Sequence, residues 1–235
     1  MLVAAAVCPC PPLLVPEVAS GAAPELDAAR TACADAVGVL AASRPDRLYV
    51  VGPAGGADRT EFPQGSAGSF AGFGVDVSVR LGEGPQGERP LPASLAVAGW
   101  LLEREQWAAA PLTGLGVGDL RDAASCAADG RELAGSAERV ALLVTGDGSA
   151  CRTLKAPGYL DDRAAPFDAA VARALAAADT GALLGLDEEL ARELKAAGRA
   201  PWQVLAGAAE GTGLEGRLLH EDAPYGVGYF VAVWS

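Results

Sequence analysis

The feature that most limits how this chain can fold is its opening, an apolar run from Leu2 to Val7 broken at once by Cys8-Pro9-Cys10-Pro11-Pro12. A short apolar run without alternation reads as a strand buried on both faces. Proline offers no ladder donor and fixes φ, so Pro9, Pro11 and Pro12 end that strand in a turn that holds two thiols. In an open α/β sheet, ligands bind at this end of the strands.

The rest of the chain repeats the theme. Leu26, Ala29, Cys33, Val37 and Leu40 recur at helical spacing and predict a helix from Pro24 to about Ala42. Asp46–Pro53 is a second buried strand, ended by Gly52-Pro53. Residues 54–74 are rich in Gly, Ser and Ala and read as a surface loop. Val75, Val77 and Val79 alternate with polar residues, which predicts a half-exposed strand toward an edge. A helix over Leu91–Gln106, a strand over Ala109–Val117, a helix over Asp119–Leu133 and a buried strand over Arg139–Thr145 follow. Residues 163–210 read as almost wholly helical, and Gly216–Glu221 with Gly226–Trp234 as a closing pair of strands. Strands alternating with helices imply one α/β domain over residues 1–235, a three-layer α/β/α sandwich around a mixed, mostly parallel central sheet.

Charge narrows the partners. A net charge of −12 leaves no basic patch for nucleic-acid phosphates or an anionic membrane. Cys8, Cys10, Cys33, Cys126 and Cys151 are odd in number and scattered, which favours a reducing cytoplasm over a disulfide framework. AAAVC at the start has no basic n-region and too few residues before it for a signal peptide.

Four turns could carry chemistry: Cys8–Pro12, Gly52–Gly56, Gly146–Arg152 and His220–Gly226. After the third, Asp147, Ser149, Arg152, Lys155, Tyr159, Asp161 and Asp162 crowd into one loop. Arg152 and Lys155 could receive a carboxylate or phosphate there, or pair with the nearby aspartates to stiffen the loop. Cys8, Cys10, His220 and Glu221 could supply mixed metal donors, although Cys-x-Cys through a proline is not a usual chelate spacing. Against that stands the ordinary behaviour of buried cysteine as a small apolar residue. His220 beside Glu221 and Asp222 equally fits a surface histidine.

In order and wording, CPCPPLLVPE, VVGP, LLVTGDGS and APYGVGYFVA together resemble the LigB-type class III extradiol dioxygenases, and more closely a branch of shorter actinobacterial members of that family. The resemblance spans nearly the whole chain. It implies a non-haem Fe(II) held by two histidines and a carboxylate, with a further histidine moving protons during ring cleavage. Such a facial set leaves positions open for catecholate and dioxygen. Here the implied ligand positions are Cys10, Ala54 and Glu221, and the acid/base position is Ala150. The sequence contains one histidine, so a two-histidine site within one chain is impossible.

The expectation is therefore a degenerate relative without cofactor, whose pocket takes a small anionic or aromatic ligand or a partner. Its candidate residues are Cys10, Asp147, Ser149, Arg152, Lys155, Tyr159, His220 and Glu221. The alternatives are a ring-cleaving enzyme with unusual ligands, other chemistry around Cys10, Asp147 and His220, or a chain that completes another chain's site. The resemblance also implies a homodimer.

Overall fold

The computed structural model describes residues 1–235. Nine strands follow one another along the chain: β1 (Leu2–Cys8), β2 (Arg47–Ala54), β3 (Arg59–Phe62), β4 (Ala67–Ser69), β5 (Ser78–Arg80), β6 (Leu112–Gly118), β7 (Val140–Thr145), β8 (Gly216–Asp222) and β9 (Tyr229–Trp234). Seven of them form the main sheet, in the order β3-β6-β2-β7-β1-β9-β8. The central four, β6-β2-β7-β1, are parallel. β3 joins one side and β9 the other, both antiparallel, and β8 closes the hairpin with β9. A separate two-stranded sheet pairs β4 with β5.

The alternation along β1 shows why its sequence is apolar throughout. Leu2, Ala5 and Val7 enter one core, while Ala4, Ala6 and Cys8 enter the other. The two cores contain 33 and 30 buried residues, so neither face is left to solvent. On one side lie the short α1 (Pro16–Ala19), α2 (Asp27–Ala42) and α3 (Ala93–Arg104). On the other lie α4 (Ala123–Ala134), α5 (Ala164–Ala176), α6 (Thr180–Leu184), α7 (Glu188–Glu193) and α8 (Arg199–Ala209). The three-layer sandwich around a mixed sheet is the architecture that the alternating apolar runs predict. No helix is long and apolar enough to cross a membrane.

Three expectations need correction. Residues 54–74 are not simply loop, because they contain β3 and β4. These strands have four and three residues, too short for a periodicity to register, and they are fixed by pairing rather than pattern. The alternating valines do not form a strand from Val75: only Ser78–Arg80 pairs, in the small sheet, with Val79 buried. The helix expected from Pro24 begins at Asp27, because Ser20–Leu26 is a tighter 3-10 segment that follows α1 and contains Pro24.

Two buried carboxylates tie layers together. Asp129 on α4 accepts from Arg121 at 2.6 Å and from Arg59 on β3 at 2.9 Å, anchoring the short edge strand to a helix. Asp168 on α5 accepts from the Ser149 backbone N–H and hydroxyl, each at 2.8 Å, and from Arg152 at 3.1 Å.

Candidate functional site: the crevice at the strand ends

The parallel strands β1, β2 and β6 end on a common crevice of about 550 Å³. Cys10 comes from the turn after β1, and Pro53, Ala54 and Gly55 from the end of β2. Asp119 follows β6, and Pro92, Ala93 and Ser94 form the entry to α3. The far wall is Glu188 to Ala200, running from α7 into the first turn of α8. Gly52 gives the reason for a glycine at the end of β2: a Cβ there would sit 2.6 Å from the Thr145 hydroxyl and 2.9 Å from that of Ser94.

The charges in the crevice are unevenly satisfied. Asp119 accepts from the Gly56 N–H at 3.0 Å, and Glu188 from the Ala123 N–H at 2.8 Å. Arg192 reaches Glu189 at 3.4 Å, and Lys195 reaches only the Pro157 carbonyl. Arg199 differs from both, being just 4% exposed. Its guanidinium donates to the Asp119 and Arg121 carbonyls and, at 3.0 Å, to Gln203 Oε1, and it forms no ion pair. A buried cation ordinarily requires a counter-charge. Here it also occupies the first turn of α8, the end of a helix where positive charge is disfavoured.

Behind the Cys10 wall sits Asp147. Its Oδ1 accepts from the Cys10 N–H at 2.8 Å, and burial pushes its carboxyl up to about 7, against the lowering effect of that hydrogen bond. Burial, and secondarily the Asp147 charge, holds the Cys10 thiol well above its ordinary value. The same two causes, in the same order, raise the Tyr229 phenol. The three groups crowd one another, and Asp147 is the member that titrates near neutrality.

The pH consequence has a definite sign. The folded-state pKa of Asp147 lies above its unfolded value, so between about pH 4 and 7 the unfolded chain has released this proton and the folded one has not. Stability contributed by this group is full below that window and is lost as pH rises through it. The Asp147→Asn variant should lack that decline, which thermal unfolding of both proteins across the window measures directly. A parallel pH dependence in the two would contradict the burial argument.

The other candidates are placed differently. The Ser149 hydroxyl is committed to Asp168 and fully buried, and Ala150 is buried with its N–H on the Leu194 carbonyl. Arg152 pairs with Asp168, not with the loop aspartates, while Asp161 pairs with Arg163 at 2.7 Å. Arg152 and Lys155 do line one shallow depression with Leu154 and Tyr225, but the charge of Arg152 is already matched. Tyr159 projects into solvent, 63% exposed, at a φ of 65°.

His220 and Glu221 lie on the edge strand β8, with β9 between them and β1. Two strand spacings, roughly 10 Å, separate them from the Cys10 wall, and neither lines the crevice. The structure thus brings Cys10, Ala54 and Asp147 together and leaves Glu221 apart. Arg199 escapes sequence reasoning; its one available signal is a cation at a helix start.

No protein-family model matches the chain, and no curated protein matches it. Among solved structures it is similar to the crystal structure of uncharacterized protein JW3007 from Escherichia coli K12. The two share 15% identity over 99% of each chain, with a TM-score of 0.54. At that identity the likeness concerns the fold.

Proposed function

We propose that this protein binds a small carboxylate-bearing ligand, aromatic or aliphatic, in the crevice at the strand ends, as a LigB-like relative that has lost iron-dependent ring cleavage. The observation that carries this reading is Arg199, a buried cation at the crevice wall without a carboxylate partner. A bound carboxylate supplies the missing counter-charge through a charge-assisted hydrogen bond. Arg192 and Lys195 at the rim add attraction for an anion on its way in.

The donor set does not suit Fe(II). A facial iron site needs two imidazoles and a carboxylate. The strand ends offer a thiol held in its neutral form and an alanine, and the sequence's one histidine lies on the far hairpin. No group of three His, Cys, Asp or Glu side chains is placed to hold a metal ion.

Calorimetric titration with benzoate, dihydroxybenzoate, catechol and inorganic phosphate tests this. Carboxylate-bearing arenes should bind more tightly than catechol. Ala197→Trp, at an exposed position on the crevice wall, should weaken them by about tenfold or more by occupying the space. Binding that ignores this substitution would remove the crevice as the site. Catechol-dependent oxygen uptake by protein holding stoichiometric iron would replace the proposal with ring cleavage.

A further inference from the structure

The two edges of the main sheet are unlike. β3 is four residues long and is held to α4 through Arg59. β8 is seven residues long, carries no proline or lysine, and has main-chain hydrogen bonds to β9 alone. Such an edge is a template for another strand unless something repels it. What β8 does carry is charge of both signs, Arg217 near one end and Glu221 and Asp222 at the other, all exposed.

The register decides how those charges lie. β8 slips by one residue between Leu218 and His220, so Arg217 stands opposite Val233 and Asp222 opposite Tyr229. Val233 and Tyr229 are four apart on β9, which puts Arg217 and Asp222 on the same face of the sheet. Without that bulge, five residues of separation would put them on opposite faces. Arg217 makes no side-chain hydrogen bond or ion pair within its own chain, and Asp222 only accepts from the N–H of the next residue at 2.7 Å.

We infer that the outer edge of β8 is a self-docking surface, on which a second copy of this chain adds its own β8 antiparallel about a dyad between Leu219 and His220. In that register each Arg217 faces the other copy's Asp222 on a common face, so the two-fold produces two identical ion pairs. Glu221 then stands opposite Leu218 on the other face. Exposed charges and bulges ordinarily guard an edge against a second strand. This edge is complementary to itself, and the joined sheets continue through the dyad.

Sedimentation equilibrium on the full chain tests the surface. Wild type should be a dimer. Arg217→Glu alone and Asp222→Arg alone place like charges across the dyad twice, and each should weaken the dimer by at least about 100-fold. Both positions are exposed, and circular dichroism verifies that each variant is folded. An equimolar mixture of the two variants should regain the dimer as a heterodimer. At one end of the dyad the introduced carboxylate of one variant meets the introduced guanidinium of the other, and at the other end the native Asp222 meets the native Arg217. A monomeric wild type overturns the inference. So does a dimer indifferent to either variant, or a mixture that stays monomeric.

Discussion

Asp168→Ala should destabilise the protein by about 3–5 kcal/mol. The carboxylate is fully buried, and three donors converge on it from the turn after β7. Removing it strands the Ser149 amide and hydroxyl in the interior and leaves Arg152, 30% exposed, with no counter-charge. Unsatisfied buried donors lose their whole desolvation cost, which exceeds the net worth of the bonds themselves. The neighbouring turns are shaped around this side chain: a Cβ on Gly228 would lie 2.6 Å from Asp168 Oδ2, and one on Gly148 2.8 Å from Oδ1. For a domain of this size the loss corresponds to roughly 10 °C in Tm, readable by calorimetry or urea titration. Arg152→Ala should cost clearly less, since part of that side chain remains in water. An Asp168→Ala protein no less stable than one altered at the exposed Arg163 would refute the account.

Gly130→Ala and Gly207→Ala should each cost about 3 kcal/mol, against the intrinsic preference of a helix for alanine of roughly 1 kcal/mol. These glycines face one another where α4 crosses α8. A Cβ on Gly130 would fall 2.0 Å from the Val204 carbonyl oxygen, and one on Gly207 2.2 Å from that of Ala127. Both obstacles are backbone, which cannot rotate away, so the helices must separate and loosen the core around Leu133 and Val204. Once the first methyl group has opened the crossing, the second has less to displace. The double variant should therefore cost less than the sum of the singles, which a double-mutant cycle by urea denaturation measures. Stabilisation by either alanine would mean that the crossing is looser than this.

The layers of the fold are legible because β1, β2 and β7 are apolar without alternation, a pattern that only strands covered on both faces require. The closing hairpin is equally plain, with two strand-like runs around Asp222-Ala223-Pro224-Tyr225-Gly226. β3 and β4 are not, since strands that short are determined by the neighbour they pair with rather than by their own composition. Of the crevice, the sequence exposes Cys10 and the glycine-proline end of β2. It conceals Arg199 and Asp168, whose importance is that they are buried, a property that a helical pattern of alanines around them does not announce. Glu221, which the resemblance matches to a carboxylate ligand position, lies away from the crevice because strand order places it and His220 at the sheet's margin.

The burial of α8 has a consequence for recognition. All of its residues from Arg199 to Ala209 are inside, between the sheet and the surrounding helices. Arg199, which lines the crevice, is therefore set in a fully buried helix, its guanidinium held by two carbonyls and Gln203. A guest that meets it has no side chain to freeze and no loop to order at that contact. The entropy of fixing the cation was expended when the chain folded, so more of the contact's strength is left for affinity.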